Sequence, residues 1–162
     1  MVAATRSAAL GVLLAVCALV VAQAADMPIP PVNTKDGVAL KGYDPVAYFA
    51  VGRPTPGEAK YALQRKGANY HFANPENRAR FEADPDRYAP QYGGYCAFAI
   101  SIDRIADIDP ERWAIVDGKL YLNNGWLAHR LWSLDEPGRI ASGDRNWERF
   151  PKSTRALTPE TP

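Results

Sequence analysis

The sequence predicts a single α+β domain: a small antiparallel sheet built from two hairpins, with short helices packed against it. Three observations predict it. Asp117-Gly118 splits the run from Trp113 to Leu122 into two halves rich in apolar and aromatic residues, the pattern of a hairpin with a two-residue turn. Lys66-Gly67 does the same between Tyr61 and Leu63 on one side and Tyr70 and Phe72 on the other. Between and after these hairpins, Asn74-Pro75 and Asp84-Pro85 each place a capping side chain before a proline, the signature of a helix start.

Taken in order, the chain of 162 residues begins with Arg6, an unbroken apolar run over about Ala8 to Val21, and Ala22-Gln23-Ala24. A basic start, a short apolar segment and an A-x-A site predict a secretory signal peptide over residues 1–24. The run is shorter than the roughly 20 residues that a membrane span prefers. Residues 25–37, with Met27-Pro-Ile-Pro-Pro31, predict an extended lead-in, and residues 38–150 the folded domain. Asp44-Pro45 is positioned to cap a short helix that buries Val46, Tyr48 and Phe49. Gly52 to Gly57, with Pro54 and Pro56, reads as a loop.

In the first hairpin, Tyr70 and Phe72 fall two apart and share the core face, which turns His71 to the other face. A helix is predicted from Pro75 to about Ala83, with Phe81 folding back over the strand and Tyr88 directed at the same core. Gly93-Gly94 permits a sharp turn, after which small and apolar residues predict a short buried helix with Cys96 near its N-terminus. Asp109-Pro110 caps a turn before the second hairpin, which ends at Asn124-Gly125. Leu127 and Leu131 mark a helix that Pro137-Gly138 breaks, followed by a second segment from about Arg139 to Phe150. Residues 151–162 are polar and predict an unstructured tail.

Loss of residues 1–24 removes Arg6 and leaves basic and acidic residues equal in number. Phosphate backbones require a basic field, so a nucleic-acid partner is excluded on this balance. No membrane association is expected once the signal is removed. Of two cysteines, Cys17 leaves with the signal, so an exported chain keeps only Cys96 and forms no internal disulfide. No Cys-x-x-Cys-His and no glycine-rich phosphate loop is present.

Several motifs together resemble a known family. Tyr70-His71-Phe72, Asn77, Phe81, Asp84-Pro85 and Tyr88 are similar to the YHS domain. Gly42-Tyr-Asp-Pro-Val-Ala-Tyr-Phe49, Gln91-Tyr-Gly-Gly-Tyr-Cys96, Asp117-Gly-Lys-Leu-Tyr-Leu122 and Trp132 with Asn146-Trp147 extend the resemblance to exported YHS-domain proteins over about Val38 to Trp147. The resemblance implies the fold and, in metal-associated relatives, a pair of cysteines just after the strand and one helical turn later. Here those places hold Ala73 and Asn77, which cannot supply thiolates to a soft metal.

Three residues are the candidates for a site. Cys96 at a helix start would have its thiolate favoured by free N–H groups, which suits a nucleophile, a redox centre or a soft-metal ligand; the alternative is a buried small hydrophobe. His71 could ligate a metal or act as a base, or simply face solvent on its strand, and His129 beside Arg130 belongs to the same class. Asp44 could orient either residue in a Cys-His-Asp set or serve only as a cap. The four tryptophans and eight tyrosines could line a ligand pocket or fill the core of a domain without disulfides. The expectation is therefore an exported protein, periplasmic or secreted, that binds a small ligand or a transition metal such as copper or zinc through Cys96 and His71. A thiol-dependent redox protein or enzyme using Cys96, and an interaction domain without chemistry, are the alternatives.

Overall fold

A computed structural model describes residues 28–152. The order is β1 (Thr34–Lys35), β2 (Val38–Ala39), α1 (Ala47–Ala50), β3 (Glu58–Arg65), β4 (Ala68–Phe72), α2 (Pro75–Ala83) and α3 (Pro85–Tyr88). The second half adds α4 (Ala97–Ser101), β5 (Asp109–Val116), β6 (Lys119–Asn123), α5 (Gly125–Ser133) and α6 (Glu136–Arg149). The α+β class and both hairpins are present.

All three hairpin turns are two residues long and left-handed at both positions: Asp36-Gly37, Lys66-Gly67 and Asp117-Gly118 each have positive φ throughout. That is the geometry whose twist matches the strands it joins. The first of these was not predicted, because β1 and β2 are two residues each and leave no alternation to read; the lead-in bends at Pro31 and Val32 before it enters β1. β2 then pairs in parallel with β4 through Val38 and Asn69, giving a four-stranded sheet in the order β1-β2-β4-β3.

The two hairpins lie in separate sheets, β5 and β6 forming a sheet of their own. The reason is what lies against β6. The turn Gln91–Gly94 and α4 pack along this strand, and its side chains feed two cores. Leu120 and Leu122 join Tyr70, Phe72, Phe81, Tyr48 and Val46 in a first cluster, while Tyr121 joins Tyr92, Tyr95, Ile100 and Trp132 in a second. The period-two alternation of a strand thus divides one element between two cores.

The helices start where their caps dictate. Asn74 Oδ1 accepts from Asn77 N at 2.8 Å with Pro75 in the first turn, and Asp84 repeats the arrangement for α3. The break before α6 comes earlier than Pro137-Gly138. Asp135 caps the helix by accepting from Gly138 N at 3.1 Å, and Pro137 sits in the first turn, where its missing N–H is no loss. Asp109-Pro110 opens β5 itself rather than a separate turn, with Asp109 Oδ1 accepting from Glu111 N.

The two ends of the described segment are tied together. Ile29 N donates to Pro151 O at 2.8 Å, Ile29 and Lys152 form a parallel bridge, and Lys152 Nζ donates to Trp147 O. Pro151 and Lys152 therefore belong to the fold, although the sequence placed them in the tail. The signal peptide at residues 1–24 and the rest of the tail lie outside the described residues. Among the described residues no helix is long and apolar enough to cross a membrane.

Candidate functional site

Asp44 is fully buried and sits where α1, β4 and α2 meet. Its Oδ1 accepts from Val46 N at 2.8 Å and Ala47 N at 3.3 Å, the capping role expected of Asp44-Pro45. Its Oδ2 accepts from Ala73 N at 2.9 Å and from the Asn77 side-chain amide at 2.6 Å. Four donors satisfy the four lone-pair sites of a carboxylate, so the charge is held without a neighbouring cation. The two positions that carry cysteines in metal-associated relatives are thus both engaged by one carboxylate. Asp44 orients neither Cys96 nor His71.

His71 stands on the opposite face of β4 from Tyr70 and Phe72, as alternation requires. It lines an open cleft of about 450 Å³, within the ordinary size range of small-molecule sites. Gly42 and Tyr43 form one wall, and Pro56 and Gly57 the other. These walls are pinned to each other: Gly57 N donates to Gly42 O at 2.8 Å, and Asp44 N to Thr55 O at 2.9 Å. Gly57 is required by close approach, since a Cβ there would lie 2.5 Å from the His71 carbonyl carbon. Leu40, Lys41 and Gly42 are consecutive left-handed residues, two of them non-glycine, and such backbone costs on the order of 1 kcal/mol each. That strained turn sets Lys41 and Tyr43 at the cleft.

Lys35, Asp36 and Lys41 supply the charges around His71. Lys41 Nζ is 2.8 Å from Asp107 Oδ2, and Asp107 also accepts from Asn33 Nδ2 at 2.9 Å and from its neighbour Ile108 N. Burial alone would raise the Asp107 carboxyl, but these hydrogen bonds outweigh it and hold the group below the usual carboxylate range. Lys35, Asp36 and Lys41 escaped sequence reasoning. The signal that could have found them is Asp36-Gly37 followed by Gly42, two turn-forming glycines that bracket them.

Cys96 is buried, 1 % exposed, and does not line the His71 cleft. It is the N-cap of α4, as its position after Gly93-Gly94 predicted. Its Sγ accepts from Asn124 N at 3.2 Å and Ala99 N at 3.5 Å, and lies 3.9 Å from Asn123 Oδ1. Asn123, fully buried and missed in the sequence as part of a hairpin end, also accepts from Phe98 N at 3.0 Å and places Nδ2 3.4 Å from His129 Nδ1. The sulfur thus joins α4 to the end of β6 and the start of α5. Cys96, His71 and Asp44 do not converge on one cleft.

Among the described residues, no group of three His, Cys, Asp or Glu side chains is gathered to hold a metal ion. Ala73 has no ligating atom, and Asn77 is spent on Asp44. The thiolate metal chemistry of the two-cysteine relatives does not fit these residues.

The fold and this cleft define a small α+β module built on a strand-to-helix corner, with an imidazole on the strand's solvent side. The family model of the YHS domain matches residues 46–92, so this stretch of the chain is similar to the YHS domain. The match spans α1 through α3 and ends at Tyr92; the second hairpin, Cys96 and the last two helices lie beyond it. No curated protein and no solved structure matches the chain.

Proposed function

We propose that this chain is an exported YHS-domain module that binds a small polar ligand in the His71 cleft, without thiolate metal chemistry. One observation carries the reading. His71 faces a cleft of ligand size whose walls are pinned by backbone hydrogen bonds and whose rim carries charges of both signs. A preformed site with a few convergent polar groups is the arrangement small-molecule sites use. The engagement of Asp44 with Ala73 N and Asn77 supports the second half of the proposal, because it fills the corner where relatives place their cysteines. Export rests on Arg6, the apolar run and Ala22-Gln23-Ala24.

The test is thermal unfolding of the purified protein and of His71→Ala in the presence of small carboxylates, amino acids and polyols. A ligand that binds the native state raises its stability by mass action. At least one of these compounds raises the midpoint of the unmutated protein by several degrees and leaves His71→Ala unmoved. Compounds that stabilise both proteins equally, or none that stabilises the unmutated one, contradict the proposal. Export is checked separately by the N-terminal residue of the protein recovered outside the cytoplasm, which should be Ala25.

A further inference from the structure

A second cleft shares no lining residue with the first. It lies beside the β3–β4 hairpin, between Arg65, Lys66 and Tyr70 on one side and Pro31, Pro90 and Lys152 on the other. Its volume is about 210 Å³, room for about seven water molecules. Arg65, Lys66 and Lys152 line it, and no acidic residue does. Arg65 is paired with Asp86 at 2.7 Å, whereas Lys66 and Lys152 form no ion pair among the described residues. The Lys152 ammonium rests 4.3 Å from the centre of the Trp147 ring, and desolvation holds it below the ordinary lysine range. The Glu148 charge opposes that shift only in part, and the ammonium also donates to Trp147 O.

The second observation is Tyr70. The residue is only 3 % exposed and lines this cleft, and its hydroxyl, which makes no hydrogen bond among the described residues, is not a buried unpartnered atom. Burial, partly opposed by Arg65, pushes the phenol up to about 12, so it stays a neutral donor at ordinary pH. The rest of the lining is apolar: Pro31, Pro90 and Trp147. Solvent reaches this hydroxyl through the cleft, so an acceptor bound beside Lys66 and Lys152 would exchange there for water.

The geometry points to a binding site for a small organic anion, its carboxylate received by Lys66, Lys152 and the Tyr70 hydroxyl and its carbon part set against Pro31, Pro90 and Trp147. Cationic, neutral-donor and apolar groups line the one cleft, with the Lys152 ammonium set against the Trp147 ring. The site is independent of the His71 cleft and stands or falls without it.

Benzoate is the probe, with benzyl alcohol as its neutral counterpart and inorganic phosphate as an anion without an apolar part. Each is titrated into the purified protein and followed by the amide and indole resonances of Lys66, Tyr70 and Trp147. Benzoate saturates these shifts with a Kd on the order of 1 mM or tighter. Benzyl alcohol and phosphate bind at least about tenfold more weakly, a difference of about 1.4 kcal/mol. Tyr70→Phe and the surface change Lys66→Gln each weaken benzoate several-fold while the folded spectrum persists, and His71→Ala leaves it unchanged. The proposal is overturned if benzoate gives no saturable shift at these residues, if benzyl alcohol or phosphate equals it, or if neither Tyr70→Phe nor Lys66→Gln alters it.

Discussion

At Asp44, four donors from three parts of the chain meet one buried carboxylate, and two of them come from positions 29 and 33 residues away. The cap was legible because it is local: an Asp before Pro predicts bonds to the next residues' N–H groups. The bonds to Ala73 and Asn77 were not, since nothing local links residues so far apart. Asp44→Asn turns one acceptor oxygen into a donor facing donors, so it should destabilise the protein by about 2–4 kcal/mol, read as a lowered urea midpoint. A loss under about 0.5 kcal/mol would show that Asn77 and Ala73 are satisfied otherwise. Cys96 is the second case. Its helix-start position was legible, but not the Asn124 and Asn123 contacts, which depend on how α5 docks. The native thiol should react with a thiol reagent only at the rate of global or local opening, and fast labelling without denaturant would contradict its burial.

Elements were the most legible scale, because caps and turns are written in adjacent residues. The α2 boundaries follow from Asn74-Pro75 at one end and Asp84-Pro85 at the other. Asn74→Ala removes the acceptor for Asn77 N and should cost about 1 kcal/mol by chemical denaturation. Because Asn77 then serves Asp44, that loss should be less than additive with Asp44→Asn in a double-mutant cycle; strict additivity would separate the two. What the sequence could not assign was sheet membership. Both hairpins carry strong turns, but which strand edges pair depends on which are covered, and β6 is flanked by the Gln91–Gly94 turn and α4. The His71 cleft was half legible for the same reason: alternation placed His71 outward, while the walls come from turns at Leu40–Gly42 and Pro56-Gly57.

At the scale of the whole molecule, the described residues form two aromatic cores sharing β6, and the response to alkali follows from them. Burial raises Tyr48, Tyr70, Tyr92 and Tyr121, with Asp144 adding to the rise at Tyr92 through a hydrogen bond of 2.9 Å. A raised folded-state pKa means that the unfolded chain releases its protons first. Stability from these groups is whole below the ordinary tyrosine pKa near 10 and is lost as pH rises above it. The urea midpoint should therefore fall between about pH 8 and about pH 11, together with a delayed appearance of phenolate absorbance in the folded protein. An unchanged midpoint would mean that these phenols ionise freely in the native state.

The claim at the centre of this account is that the module recognises its ligand through His71. The chain has only two histidines, so the imidazole resonances give a built-in control. His71 lines the open cleft, and His129 lies against Asn123 on another part of the molecule. The deciding measurement is a titration, followed by imidazole resonances, with a compound that stabilises the unmutated protein but not His71→Ala. The account predicts that the His71 signals move and saturate while those of His129 stay in place. Movement of His129 with His71 unmoved, or of neither, would contradict it.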